Sequence, residues 1–355
     1  MSRLASIACR LLMLTAVALG GGVPAWAASA AVDQAMRLGD SDPVTALVIL
    51  EKADAAGDLE ASVVLAGTLF FANPPRQNRV RACTIAQRLI DARHGQGWAL
   101  MASCFLTGTV ATAGDRLDAA RAAARQAIAL GAAGGGTALF TAFSVDPRFG
   151  PLGADGQPDA AKRAALAAQP AAERKLQSEA WTGLSIALEQ GEPMATSFGI
   201  AALADTSAPG NLERLLALAG RSQAIAQHFA AQVKSAQSFQ ALGGTHASLR
   251  AASEARRAAL AAAKVGALRD GAVACEEIEL ARIQPGDGPA EASYLPVMIG
   301  PLKNAYLVSG QWEERWVFSA CGRDVPVQVT FQADGWGGAT STASPAPRPV
   351  VRRTP

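Results

Sequence analysis

The stretch Ala53-Asp-Ala-Ala-Gly57-Asp-Leu-Glu-Ala61, followed at once by Val63-Val-Leu-Ala-Gly67-Thr-Leu-Phe70, decides how the first half of this 355-residue chain is read. A glycine closes one helix-forming segment, and a small residue four positions later opens the next. The same arrangement returns as Ala92-Arg-His-Gly95-Gln-Gly-Trp-Ala99 before Leu100-Met-Ala-Ser-Cys-Phe-Leu-Thr-Gly108. It returns more weakly as Ala127-Ile-Ala-Leu-Gly131 before Gly135-Gly-Thr-Ala-Leu-Phe140. Matching the glycines gives spacings of 38 and 36 residues, within the period range of helix–turn–helix repeats. Each glycine is expected to adopt the left-handed conformation that ends a helix. Between the junctions Ala82, Ile85, Ala86 and Leu89 recur at helical spacing, as do Leu117, Ala120, Ala124, Ala127 and Ile128. One such unit cannot bury its apolar stripe alone, so neighbours must stack.

This pattern resembles the Sel-like repeat family, relatives of the tetratricopeptide repeats, over roughly residues 30 to 145. It departs from that family in lacking tyrosine there and in the glycine-rich start of its third second helix. The resemblance implies an α-solenoid and scaffolding through protein–protein contact, and nothing narrower.

Composition points the same way. Alanine fills 80 positions, more than a fifth of the chain, and alanine costs least to place in a helix. Charged residues make up 17% and the net charge is +2, so no strong field argues for nucleic acid. Only His94, His228 and His246 could supply imidazole.

Arg3 and Arg10 precede the apolar run Leu11–Leu19, glycines 20–22, Pro24 and Ala25-Trp26-Ala27. Basic, apolar and small-residue segments in that order predict a secretory signal peptide over 1–27, cleaved after Ala27. No later run reaches the roughly 20 apolar residues of a membrane helix, so no permanent membrane span is expected after cleavage. The expected location is periplasmic or secreted. Without Arg3 and Arg10 the formal charge falls to zero, and Arg348, Arg352 and Arg353 belong to a tail.

Cleavage also removes Cys9, leaving Cys83, Cys104, Cys275 and Cys321. An even number in an oxidising compartment predicts two disulfides with three possible connectivities. Proximity in sequence favours Cys83 with Cys104 and Cys275 with Cys321. Cys83 early in one helix and Cys104 late in the next fall at similar heights on antiparallel neighbours. None forms a Cys-x-x-Cys pair, so a redox or zinc motif lacks support.

After a Pro- and Gly-rich break at 146–158, helical patterning resumes at 160–166, 174–190 and 194–203. Asn211 is expected to cap a helix over 212–219, ahead of long helices over 221–242 and 246–269. Past residue 273 the style changes. Trp312, Glu314, Trp316, Phe318 and Ala320 alternate, then Val325, Val327, Val329 and Phe331, joined by Cys321–Asp324. That is an antiparallel hairpin. Strands are also expected over 275–280, 304–308 and 339–343. The phrase Trp312-x-Glu-x-Trp316, with the Cys321-Gly322 turn, resembles a small β module of exported bacterial proteins with no assigned activity. The organisation is thus signal peptide 1–27, repeats 28–150, further alanine-rich helices 151–270, β module 271–343 and disordered tail 344–355. The fold class is mainly α, a tetratricopeptide- or Sel-like α-solenoid followed by a small antiparallel β domain.

No His-Glu-x-x-His, Gly-x-Ser-x-Gly or Gly-Lys-Ser/Thr motif occurs. Glu276 and Glu277, like Glu313 and Glu314, are adjacent on strands and face opposite ways, so neither pair converges on one substrate. Trp312 and Trp316 share a face: they fill the β core or form a surface for stacking carbohydrate or peptide. No catalytic, cofactor or metal residues are expected, and no cofactor. The expected activity is a periplasmic scaffold or adaptor with a protein partner in the cell envelope and no nucleic acid. The alternatives are a peptidoglycan- or glycan-acting envelope hydrolase and a purely structural secreted protein.

Overall fold

The computed structural model describes residues 29–39, 41–149, 159–269, 275 and 277–347. The expected signal peptide with its cleavage residue Ala27, and residues 348–355, lie outside the described residues. The chain is mostly helical with a five-stranded antiparallel sheet towards its carboxyl end. It forms two compact units. The first takes the described residues up to 163, then 175–198 and 297–302; the second takes 164–174, 199–296 and the residues from 303. The helical stretch 151–270 is therefore shared between them.

The first unit begins with α1 (Ala30–Leu38), α2 (Pro43–Ala55), α3 (Leu59–Phe71), α4 (Arg79–Asp91), α5 (Gly95–Leu106), α6 (Arg116–Ala129) and α7 (Gly135–Ser144). Side chains of Asp42, Asp58, Asn78 and Asp115 accept bonds from first-turn N–H groups and so cap α2, α3, α4 and α6. Each helix packs on the next, and α3 also packs on α5 and α5 on α7. After α8 (Ala160–Ala167), α9 (Lys175–Glu189) packs on α7 and leads into α10 (Pro193–Asp205). Leu50, Leu65, Leu69, Ile85, Leu89 and Met101 form one buried cluster. Cys83 and Cys104 lie within it, disulfide-bonded with Cα atoms 6.0 Å apart. Closing a loop of this size contributes about 3 kcal/mol.

Gly57 (φ 85°) and Gly131 (φ 67°) take the expected left-handed conformation, but Gly95 does not. At that junction Arg93 turns left-handed (φ 59°) and Gly95 opens α5. Gly95 serves packing instead: a Cβ there would lie 3.1 Å from both Leu130 and Ala132 Cβ. Closer still, Gly136 of α7 meets Gly183 of α9, where a Cβ on Gly136 would stand 2.0 Å from the Gly183 carbonyl oxygen. Beyond α7, buried Asp146 accepts from Arg121 at 2.8 Å and from Arg148 at 2.7 Å. Burial pushes its carboxyl up, but the bonds from Arg148 and Arg121 outweigh burial and hold it at about 2.

The second unit holds α11 (Asn211–Ala219), α12 (Gln223–His228), α13 (Ala230–Ala241) and α14 (Leu249–Arg269). Its sheet comprises β1 (Ile278–Gln284), β2 (Ala290–Tyr294), β3 (Leu307–Ala320), β4 (Arg323–Ala333) and β5 (Ala339–Pro345). The order is β1-β3-β4-β5; β1 pairs with residues 315–320 of β3 and β2 with its first half. Trp312 faces Phe331, Glu314 Val329, Trp316 Val327 and Phe318 Val325, so the expected alternation forms one buried face. Helix α14 lies on β1, β3, β4 and β5 through its alanine stripe. The hairpin turns on Cys321 (φ 48°) and Gly322 (φ 75°), and Cys321 is disulfide-bonded to Cys275 with Cα atoms 5.9 Å apart.

Besides that of Gly95, four expectations change. Asn211 does not cap its helix: it is the first helical residue, buried, and its Nδ2 donates to the carbonyls of Thr206 and Ala305. The helix expected over 221–242 breaks at Phe229, whose backbone (φ −99°, ψ 25°) leaves helical geometry. The last helix opens at Leu249 rather than His246, because His246 N–H is turned towards Glu314. Ser344 and Pro345, expected in the tail, belong to β5 instead, where they pair with Gln328 and Val327. Among the described residues, no helix is long and apolar enough to cross a membrane.

Candidate functional site

In the second unit a dense polar arrangement surrounds Glu314, at the centre of β3. Alternation sends Trp312, Glu314 and Trp316 to the same face. They are 3%, 1% and 0% exposed. Oε1 of Glu314 accepts from Trp312 Nε1 at 3.0 Å and from His246 N at 2.9 Å; Oε2 accepts from Trp316 Nε1 at 2.9 Å. The Thr245 hydroxyl reaches both oxygens, at 2.7 and 2.8 Å. Four donors thus enclose one carboxyl group, which answers the cost of burying it. Trp312 also stacks on Phe331 at 5.0 Å and Trp316 lies 6.3 Å from Phe239. The tryptophans therefore fill the core, and a stacking surface on them is ruled out by their burial. Glu313, the adjacent carboxylate, is exposed on the opposite face, as alternation requires.

Next to Trp312, and not lined by Glu314 itself, a depression of about 820 Å³ opens between the β1–β2 turn, β2 and the start of β3. Asp287, Glu291 and Glu313 supply carboxylates, Gln311 and Gln332 amides, and Ser309 a hydroxyl. Glu313 accepts from Gln328, and Gln332 Nε2 donates to the Gly310 carbonyl at 3.2 Å. His246 links the two layers: its backbone holds Glu314, and its Nε2 lies 3.4 Å from the Gly286 carbonyl in the turn that walls the depression. No cationic side chain lines it, so its chemistry suits a polyhydroxylated or cationic group. Among the described residues, no three His, Cys, Asp or Glu side chains gather as a metal ion needs.

The histidines stay apart. His94 Nε2 is 3.7 Å from Glu60 Oε1 in the first unit, and the His228 ring meets Phe229 edge-on. The four cysteines pair as sequence proximity favoured. Thr245 and His246 carry no spacing signal towards β3, being 69 and 68 residues away from Glu314. The only visible sign was the Trp-x-Glu-x-Trp phrase itself.

In the first unit, Glu192 stands before α10 with its carboxylate on Gly134 N and Thr137 Oγ1, at the start of α7. Burial pushes its carboxyl up, against the lowering effect of those two bonds.

No protein-family model, curated protein or solved structure matches this chain. The functional reading therefore rests on the residues alone.

Proposed function

We propose that this chain is an exported, disulfide-stabilised scaffold whose first unit is an α-solenoid of Sel-like hairpins that binds a protein partner of the cell envelope. The observation that carries the reading is the ordered packing of the first unit. From α1 to α7 consecutive helices pair, α3 and α5 reach the next helix but one, and Gly57 and Gly131 turn left-handed between paired helices. The ion pairs Glu51–Arg81 and Asp54–Arg88 join α2 to α4, and Arg125–Glu179 joins α6 to α9, always between first helices of successive hairpins. Such stacking presents a continuous helical surface, which favours a protein partner over a small substrate. Export is supported by the amino-terminal sequence and by two disulfides that an oxidising compartment preserves.

Affinity capture from the cell envelope under non-reducing conditions tests this. A stoichiometric protein partner with cross-links on α2–α7 is the expected result. Absence of any such partner, together with turnover of a cell-wall glycan, would sink the reading. One observation favours that second reading: Asp287, Glu291 and Glu313 all line the depression. Glycan turnover abolished by D287N, E291Q or E313Q would establish it.

A further inference from the structure

Strand β5 ends the sheet, with β4 on one side of it and, among the described residues, no strand on the other. Its register with β4 runs unbroken from Ala339, opposite Ala333, to Pro345, opposite Val327. Two bonds just beyond those ends fix the phase of the ladder. Ala346 N donates to the Pro326 carbonyl at 3.0 Å, and Asp334 N to the Gly338 carbonyl at 3.1 Å. Counting by twos from either, Thr340, Thr342 and Ser344 direct their N–H and C=O groups at β4. Ala339, Ser341, Ala343 and Pro345 direct theirs outward, and Pro345 has no N–H to offer. Among the described residues these outward groups make no hydrogen bond. Ala339, Ser341 and Ala343 are half-buried beside α14 rather than closed over by it. The opposite edge of the sheet is blunted: its register slips at Leu280–Arg282 and along Ala290–Tyr294, and Glu279, Arg282 and Glu291 stand exposed on it. Strand β5 has neither device. It carries no charged side chain, no bulge and no proline before Pro345.

We propose that this edge pairs with β5 of a second copy of the chain, antiparallel about a two-fold axis at Ser341. Ser341 then meets Ser341 of the second copy, and Ala339 meets its Ala343. Every outward N–H of one copy ends on an outward carbonyl of the other. Neighbouring registers are worse. An axis at Thr340 brings Ala343 N–H to Gly337, whose carbonyl already accepts from Ser207 N. An axis at Thr342 sets the Pro345 ring against Ala339 of the second copy; with the axis at Ser341 that ring falls beyond the bonded pairs. Side chains select the same occupant. On the exposed face Thr340 stands opposite Thr342 of the second copy, a favourable cross-strand pair, and on the other face only serine and alanine are opposed. In a two-fold pairing any charge on the strand would be set near its own copy, and β5 has none. These small side chains form no pocket that would select a foreign strand by its sequence. The edge lies in the second unit, and the pairing does not depend on the partner of the helical array.

Sedimentation velocity over a concentration series tests the proposal, using the protein purified as the cell processes it. A single strand pair is a small interface, so a reversible dimer with a dissociation constant on the order of 100 µM is expected. Ser341→Pro removes the central N–H, which β4 does not use, and should weaken the dimer at least about tenfold. T340K/T342K sets lysine opposite lysine on both sides of the axis and should also weaken it at least about tenfold. T340K/T342E sets lysine opposite glutamate instead, and should bring the dimer back to within about threefold of the wild type. Thr340 and Thr342 are exposed, and thermal melts check that each variant keeps its fold. If Ser341→Pro does not fold, the two charge variants decide alone. A protein that stays monomeric up to about 1 mM, or a dimer indifferent to T340K/T342K, overturns the proposal. Loss with T340K/T342K and no recovery with T340K/T342E overturns it as well, because the strands then do not meet about Ser341.

Discussion

Replacing Glu314 tests whether one carboxyl group organises the second unit. Two indole N–H groups, the Thr245 hydroxyl and the His246 N–H all end on its two oxygens. In Glu314→Gln the amide oxygen can keep the Oε1 position with its three donors. The amide nitrogen then meets Trp316 Nε1 donor to donor, while Thr245 can reverse and accept. One buried donor is left unmatched, which costs about 1–3 kcal/mol. Glu314→Leu matches the apolar surroundings better, yet it strands all four donors and should cost more than about 4 kcal/mol. Urea unfolding followed by tryptophan fluorescence reads both, since Trp312 and Trp316 report on this site directly. A loss of about 2 kcal/mol for Gln corresponds to a melting point lower by roughly 4–8 °C in a unit of this size. The reasoning fails if Glu314→Leu is as stable as Glu314→Gln, or if Gln lies within about 0.5 kcal/mol of the wild type.

Three further outcomes follow from the geometry. Gly136→Ala should destabilise the first unit by about 3 kcal/mol or more, because the new methyl meets the Gly183 backbone at 2.0 Å. Gly183→Ala comes no closer than 3.2 Å, to Leu139 Cδ2, with Gly136 O at 3.3 Å and Gly136 Cα at 3.4 Å, and should be far milder; comparative chemical denaturation ranks the two. Asp146, held at about 2 against an ordinary 3.8, binds its proton less readily folded than unfolded. Its stabilisation is therefore complete above about pH 4 and is lost as pH falls towards 2. Asp146→Asn should flatten the acid limb of a pH–stability curve by about 1–2 kcal/mol, below the full conversion because Arg148 is half exposed and screened. At the β3–β4 turn, Cys321 and Gly322 both carry positive φ, the geometry that favours Asn-Gly. The pair C275S/C321N should accordingly be more stable than C275S/C321S by roughly 0.5–1 kcal/mol in thermal melts, although both lack the disulfide. Equal stability would show that the turn's backbone is not what residue 321 contributes.

Much of this fold is legible in the chain because its periods are unambiguous. Val325, Val327, Val329 and Phe331 cannot sit on one face of a helix, and the junctions at Gly57 and Gly131 announce their turns. The losses have physical reasons. Strand β2, Ala290-Glu-Ala-Ser-Tyr294, has no apolar alternation; only its pairing with β3 makes it a strand. The helix break at Phe229 lies inside an uninterrupted helical pattern, with no glycine or proline to mark it. Gly95 was legible as a junction but not as a packing contact, because the residues it touches belong to the next hairpin. The donors to Glu314 were beyond reach for the same cause: tertiary proximity, not spacing, brings Thr245 to β3.

The short run Val297–Leu302 follows β2 in the chain yet belongs to the first unit. There Ser185 Oγ donates to the Ile299 carbonyl at 2.7 Å and accepts from Leu302 N at 3.2 Å, while Thr182 Oγ1 accepts from Met298 N at 3.4 Å. The hydroxyls of α9 thus wait for a backbone that leaves the ribosome more than a hundred residues later. During synthesis α1–α9 can assemble, but their last strip of cover arrives only after most of the second unit's sequence has emerged. The chain therefore carries a built-in order of completion: the earliest helices to appear are sealed by one of the later loops.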